Sequence, residues 1–276
     1  MFASSSALVA EGDTVILYLA RDNVNAITVD PRREFGSKFG TFKHADMIGL
    51  AYGSKIWSVN RKGFTHLLRP TPELWTLALP HRTQILYMPD IAFITQHLDV
   101  RPGATVVEAG TGSGSFSHAV ARSVGAEGIV HSFEFHPDRH AQARAEFQRH
   151  GLTQIRAQHR DVCKAGFDLD STADAVFLDL PAPWTAVEHA KKAMRKDRLS
   201  RICCFSPCAE QVIRTVAALH EHGFSDVTMY ETLVRNYDTV SVELPTVGDV
   251  LTRLHATEAK KAERRESQMA AARQRK

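Results

Sequence analysis

The residues in this chain whose types and spacing permit chemistry are three glycines, Gly110, Gly112 and Gly114, and three acids, Glu134, Asp161 and Asp179. The glycines lie in VVEAGTGSGSFS (Val106–Ser117), where Glu108 precedes them and small hydroxyl residues, Ser113 and Ser115 among them, alternate with them. Glycine tolerates positive φ and, lacking a Cβ, lets the backbone approach a bound molecule, so the run marks either a turn against a ligand or a purely structural turn. A dinucleotide site needs G-x-G-x-x-G; here the place of the third glycine falls on Ser115 counted from Gly110 and on Ser117 counted from Gly112. That class is excluded. A phosphate-cradling P-loop is excluded as well, because the chain has no G-x-x-x-x-G-K run.

What remains is E-x-G-x-G-x-G behind a strand, Glu108 to Gly114, the pattern of proteins that bind S-adenosylmethionine. The acids extend it. Glu134 lies twenty residues beyond Gly114, the distance at which an acid ending the second strand accepts the two hydroxyls of a ribose. Asp161 is placed to meet an adenine amine, and Asp179 the reacting centre. Each acid also has a structural reading, as the cap of the next helix.

These residues need a sheet that brings strand ends to one edge. Strands over Ala104–Glu108, Gly128–Glu134, Gln154–Gln158, Ala173–Leu180 and Arg201–Ser206 alternate with helical patterns over Ser115–Val124, Pro137–His150, Trp184–Lys196 and from Pro207 to about His222. Such alternation predicts an α/β fold with a parallel sheet covered on both faces, a Rossmann-like domain over residues 76–255. VTMYETLV (Val227–Val234) and YDTVSVEL (Tyr237–Leu244) read as an antiparallel pair closing that sheet, and residues 256–276 as a basic helical or disordered tail.

Ahead of it, residues 1–75 read as a small β-rich, barrel-like module without helical periodicity, with strands in TVILYLA (Thr14–Ala20), NAITVD (Asn25–Asp30) and KIWSV (Lys55–Val59). Its Arg32, Arg33, Lys38, Lys43, Lys55, Arg61, Lys62 and Arg69 suit RNA, a partner subunit or an ordinary charged surface. Pro70, Pro72 and Pro80 punctuate a linker. It delivers LPHRTQILYMPD (Leu79–Asp90), whose mixed polar and apolar reach suits a ligand-lining segment, and then a helix from Pro89 to Leu98.

Composition narrows the classes. With 43% hydrophobic and 24% charged residues the chain reads as soluble and globular, and no apolar run nears the ~20 residues that span a bilayer. MFASSSALVAEGD lacks the basic start and apolar core of a signal peptide, and the four cysteines, Cys163, Cys203, Cys204 and Cys208, form no C-x-x-C pair. An intracellular protein without structural metal is expected, with no membrane partner. Between Arg253 and Lys276 eight Lys and Arg stand against three acids, which exceeds the whole chain's net charge of +3. A second basic cluster, Lys191, Lys192, Arg195, Lys196, Arg198 and Arg201, is either a nucleic-acid contact or a solvated face.

At DLPAPW (Asp179–Trp184) the sequence resembles a known family, the catalytic subunit of the tRNA (adenine-N1)-methyltransferase acting on the T-loop adenosine at tRNA position 58. The resemblance runs from about His44 to Glu258 and rests on RPTPELWTLALPHRTQILY (Arg69–Tyr87), VVEAGTGSGSFSHA (Val106–Ala119), ADAVFLDLPAPW (Ala173–Trp184) and FSPCAEQV (Phe205–Val212). LPHRTQILY and FSPCAEQV are of the eukaryotic style. They imply a heterotetramer of two catalytic and two noncatalytic RNA-binding sister chains, and a nuclear location to which Lys260–Arg265 and Arg273–Lys276 would contribute. A noncatalytic sister is expected to lack the glycine turn or the acid; this chain keeps both.

The resemblance implies S-adenosylmethionine as cofactor, held by Gln84, Ile85, Leu86, Ser113, Gly114, Ser115, Glu134, Arg139, Asp161 and Val162 together with the turn residues Glu108, Gly110 and Gly112, and Asp179 as the catalytic acid. N1 of adenine carries no proton to remove, so Asp179 would orient the base and stabilise its developing charge rather than act as a general base. The base must leave its pairing partner, and His81, Tyr87, Pro181, Pro183 and Trp184 are candidates to wall the pocket that receives it. One departure stands out: the family has a glycine-containing turn before the fifth strand, where this chain reads MRKDRLSRICCF (Met194–Phe205).

Overall fold

The computed structural model describes residues 6–21, 23–235, 237, 239–242 and 244–274. The first part is antiparallel. Strands β1 (Thr14–Ala20), β2 (Asn23–Thr28), β3 (Glu34–Ser37), β4 (Gly40–Lys43), β5 (Lys55–Trp57) and β6 (Phe64–Leu68) form a sheet of order β2-β1-β6-β5 and a separate β3-β4 hairpin. Successive side chains of β1 point to opposite faces. Val15 and Leu17 enter a core with Val29, Phe42, Met47 and Leu67, while Ile16 turns the other way to meet Trp75, Leu79 and Ile85.

That second face changes the expected linker. Thr71 accepts the Leu74 N–H, Pro72 sits in the first turn where its missing N–H costs nothing, and helix α1 (Pro72–Ala78) forms. Its Trp75 is core for β1, and the helix also packs on the helix that follows the glycine turn. The expected boundary at residues 75 and 76 therefore falls inside a helix, and the chain up to Thr232 is one compact unit.

The rest of that unit follows the alternating pattern. Helix α2 (Met88–His97) leads to β7 (Thr105–Ala109), then α3 (Ser115–Val124), β8 (Ile129–Glu134), α4 (Pro137–Arg149), β9 (Ile155–His159), a single turn α5 (Val162–Ala165), β10 (Ala175–Leu178), α6 (Val187–Ala193), β11 (Arg201–Cys204) and α7 (Ala209–Glu221). The five strands are parallel in the order β11-β10-β7-β8-β9. Val106, Val130 and Phe177 pack one face against α2 and α3, and Val107, Phe133, Val176 and Leu178 pack the other against α5 and α6. Burial on both faces explains why these strands read as continuous apolar runs.

Near the end of the chain one expectation is overturned, while the helix expected in the tail forms and starts earlier. Among the described residues, 227–244 form no strand, and β11 has no neighbour on its outer side; Asn236, Asp238 and Glu243 lie outside the described residues. Met229, Tyr237, Val240 and Leu244 are all at least 73% exposed. Apolar alternation makes a strand only when a ladder partner accepts its backbone groups. The second unit, Leu233–Lys276, is dominated by α8 (Val247–Gln274), which starts ahead of residue 256 because Thr246 and Asp249 cap each other's backbone N–H groups.

Candidate active site

The glycine turn closes between β7 and α3. The N–H groups of Gly110 and Thr111 both donate to the Phe133 carbonyl at 2.9 and 3.2 Å, which pins the turn to β8. Gly110 has φ +98°, and a Cβ there would stand 2.2 Å from the backbone oxygen of Asp179, so no side chain fits. At Gly112, φ +52°, a Cβ would meet the Thr83 hydroxyl at 2.7 Å; Gly114, φ +79°, is the left-handed cap from which α3 starts. The three glycines thus answer to three neighbours: β10's exit, the segment before α2, and the helix itself.

All three expected acids lie at or just past the carboxyl ends of parallel strands, and β7 is where the strand order reverses, the place where open α/β sheets bind ligands. Glu134 ends β8. Its Oε2 accepts the Gly112 N–H at 2.9 Å, and its Oε1 accepts from the His136 N–H at 3.0 Å and from Arg139 at 2.8 and 3.0 Å. Burial pushes this carboxyl up, but those donors outweigh it and hold it below the ordinary carboxylate range. Asp179 follows β10, with its N–H on the Ala109 carbonyl at 2.9 Å. Half-buried and with no donor to its carboxylate among the described residues, it has its carboxyl pushed by desolvation up to about 6. Asp161 follows β9 and takes the capping role, accepting the Cys163 N–H at 3.2 Å while Lys164 stands 3.6 Å away.

Several residues expected to touch the cofactor are turned inward. Glu108 is 1% exposed and accepts from Ser117 at 2.7 Å and Ser132 at 2.6 Å, its carboxyl pushed by burial up to about 7. It braces the strand under the turn rather than facing the crevice. The side chains of Ile85, Leu86 and Val162 are core residues, leaving only their backbone for a ligand. Ser113 and Ser115 use their hydroxyls as staples: Ser113 accepts the N–H groups of Arg82 and Thr83 at 2.9 and 3.1 Å, and Ser115 donates to the Leu86 carbonyl at 2.9 Å. Gln84, His81 and Tyr87 remain exposed on the stapled segment.

Past Asp179 the chain makes a short 3₁₀ turn over Pro183–Ala186. Pro183 is buried and Pro181 exposed, while Trp184 is half-buried with the Arg214 guanidinium 5.3 Å from its ring. The three arginines of the basic cluster are ion-paired. Arg195 pairs with Asp197 at 2.7 Å, Arg198 with Asp174 at 2.5 Å and Arg201 with Asp99 at 3.2 Å, and Lys191 donates to the Gly223 carbonyl at 3.2 Å. These pairs also explain the atypical turn before β11. No residue from Met194 to Arg201 has positive φ, so the turn needs no glycine.

Sequence reasoning passed over the underside of the turn. Arg82 pairs with Glu146 of α4 at 3.0 Å, with side chains 11% and 3% exposed. Beside them His118 Nδ1 meets the Gly114 carbonyl at 2.6 Å and His118 Nε2 meets His150 Nδ1 at 2.9 Å. His118, Glu146 and His150 bring ligand atoms within 4.8 Å of one another, with the two histidines bonded to each other and Glu146 Oε2 to the Arg82 guanidinium. The legible signal was the HRTQ run, whose Arg82 and Thr83 turn out to serve the turn.

A family model described as "tRNA methyltransferase complex GCD14 subunit" matches residues 63–276. A protein of Cryptococcus neoformans named tRNA (adenine(58)-N(1))-methyltransferase catalytic subunit TRM61 is 54% identical over 260 residues, covering 92% of this chain and 60% of that protein. The chain thus spans about 60% of the length of that relative. The protein of the same name from Yarrowia lipolytica is 44% identical over 265 residues, 95% of this chain and 68% of its own. Among solved structures, a SAM-dependent O-methyltransferase from Thermotoga maritima superposes with a TM-score of 0.78 at 26% identity, over 87% of this chain and 89% of that one. The tRNA (m1A58) methyltransferase TrmI from Aquifex aeolicus gives 0.71 at 25%, over 85% and 90%. The Rossmann-like sheet and the antiparallel module before it are thereby placed among methyltransferases, and the match of the family model, which runs from β6 through the whole parallel sheet, assigns the chain: it belongs to the GCD14 subunit family of tRNA methyltransferase complexes.

Proposed function

We propose that this chain transfers a methyl group from S-adenosylmethionine to N1 of the adenosine at position 58 in the T-loop of tRNA. The observation that carries the reading is the pair of acids flanking the glycine turn, Glu134 fully charged and Asp179 held near 6 without a donor, in a chain whose relatives bear that enzyme's name. The residues fit the donor. Oε2 of Glu134 accepts one hydrogen bond among the described residues, which leaves a lone pair for a ribose hydroxyl. When bound, S-adenosylmethionine supplies an electrophilic methyl group on a sulfonium. Gly110, Gly112 and Gly114 bring backbone against it, with Glu134 and Arg139 at its ribose and the exposed Gln84 and half-buried Asp161 at its rim.

Asp179 does the work on the acceptor. Its carboxylate accepts a hydrogen bond from the adenine N6 amine, aims N1, and opposes the positive charge that grows on the base. Burial strengthens that interaction, since water competes less for the charge. Pro181 and Trp184, together with the exposed His81 and Tyr87, receive the base once it leaves its stack, at a cost of a few kcal/mol. Pro183, buried in the 3₁₀ turn, shapes that wall without facing the base. Exposed basic residues of the first module and of α8 supply phosphate contacts.

The chain acts as the catalytic subunit beside a noncatalytic RNA-binding sister, two of each, in the nucleus. The name "catalytic subunit" carried by its relatives and the exposed apolar stretch around Tyr237–Leu244 support a partner. Among the described residues no helix is long and apolar enough to cross a membrane. The test is co-expression with the sister chain, followed by labelled S-adenosylmethionine and tRNA with or without the T-loop adenosine. Label at N1 of that adenosine is expected, and equal labelling of tRNA lacking it would sink the proposal.

A further inference from the structure

We infer that Arg82 and Glu146 form a buried clamp that sets the geometry of the donor-binding turn, and that they are positioning residues for S-adenosylmethionine; this rests on the proposed donor site. Gly112 is gripped from two sides. Its N–H enters the Glu134 carboxylate at 2.9 Å, and its carbonyl accepts Arg82 Nε at 3.4 Å. A negative group thus holds the donor end of one residue and a positive group the acceptor end. Both grips are tethered to α4: Arg139 reaches Glu134 at 2.8 Å, and Glu146 reaches Arg82 at 3.0 Å. Residues 139 and 146 are two helical turns apart and lie on one face, so a single rigid helix spaces the two anchors.

Stability alone does not account for the pair. A buried ion pair is often no more stabilising than apolar residues of the same volume, since both charges lose their water. This one is also incompletely satisfied: Arg82 NH2 and Glu146 Oε1 are buried with no hydrogen-bond partner among the described residues. Burial pushes the Glu146 carboxyl up, and the Arg82 guanidinium opposes that push. What the pair does supply is direction. The planar guanidinium turns one edge to Glu146 and another to Gly112, while the Arg82 and Thr83 N–H groups hold Ser113. With φ +52° and the Thr83 hydroxyl 2.7 Å from where a Cβ would stand, position 112 takes glycine and no side chain.

Lysine at position 82 separates the two roles, because an ammonium keeps the charge opposite Glu146 but cannot serve Glu146 and the Gly112 carbonyl with a planar fork. The complex with the sister subunit is prepared with wild-type chain, Arg82→Lys, Arg82→Met, Glu146→Gln and the Arg82→Met/Glu146→Gln double variant. S-adenosylmethionine is titrated by calorimetry, and steady-state rates are measured against donor and tRNA. The clamp predicts that Arg82→Lys keeps the melting temperature close to wild type yet raises Kd and KM for the donor about ten-fold, with kcat at saturating donor and KM for tRNA within about two-fold. Arg82→Met raises the donor Kd at least as far, and the double variant is no worse than Arg82→Met, since the two residues act as one unit. Donor affinity at the wild-type level in Arg82→Lys would make the pair a structural brace and overturn the inference. So would Glu146→Gln if it lowers the melting temperature while leaving the donor Kd unchanged. Absence of donor binding by the wild-type complex would instead remove the site reading itself, and the clamp with it.

Discussion

The two sides of β7 treat their acids in opposite ways. On the β8 side Glu134 receives four hydrogen bonds, from Gly112, His136 and twice from Arg139, and stays charged despite being 3% exposed. On the β10 side Asp179 is half-buried with no donor to its carboxylate among the described residues, and desolvation raises its carboxyl to about 6. The first acid is organised before any ligand arrives, which under the proposed function suits a group that recognises an unchanging ribose. The second is left short of partners, which under the same proposal suits a group whose partner is the incoming base and whose charge matters most when positive charge grows nearby. Preorganisation and deliberate deficit sit one strand apart on the same turn.

Removing the deficit side should cost most. Asp179→Ala is expected to lower kcat about a thousand-fold while donor affinity, measured by calorimetry, stays within a few-fold; turnover near wild type would place the acid elsewhere. On the organised side the split reverses. Glu134→Gln keeps the shape but weakens the charge-assisted bonds to Arg139 and the donor, so KM for S-adenosylmethionine should rise roughly ten-fold or more, with a smaller change in kcat. A kcat collapse in Glu134→Gln would erase the contrast.

pH sharpens the same comparison. With the Asp179 carboxyl at about 6, kcat should be level near pH 8 and fall as pH drops below 6, approaching ten-fold per pH unit, whereas Asp179→Asn should lack that limb. The smallest effect is on stability. Asp179 has a folded value raised from 3.8 to about 6, so between those values the folded chain keeps a proton that the unfolded chain has released, and stability declines as pH rises through that window. Asp179→Asn should therefore melt a few degrees above wild type at pH 8, the gap closing as pH approaches 4; an unchanged gap across that range in thermal scans would count against a buried, unpartnered carboxylate.

Much of this was legible in the chain because it depends on local geometry. Gly110, Gly112 and Gly114 all adopt positive φ, and α3 spans Ser115–Val124 as the helical pattern predicts. The acids fall at strand ends because parallel strands align their carboxyl edges whatever the loops do. The same logic misled where a local signal had more than one answer. Three prolines read as a linker, although Pro72 opens α1; apolar alternation over 227–244 read as paired strands, although among the described residues no strand forms there. The cluster from Lys191 to Arg201 read as either a nucleic-acid contact or a solvated face, and its three arginines turn out to pair with Asp197, Asp174 and Asp99.

Periodicity and turn chemistry, properties of neighbours along the chain, were enough to specify a glycine turn facing a row of acids and to rule out a dinucleotide. Which hydroxyls face a ligand and which act as staples was settled by contacts between distant residues: Ser113 with Arg82, Ser115 with Leu86, Glu108 with Ser132. The unequal charge of Glu134 and Asp179 has the same origin. A carboxylate's pKa is set by how much water it loses and which donors replace that water, and both follow from packing across strands rather than from residue order.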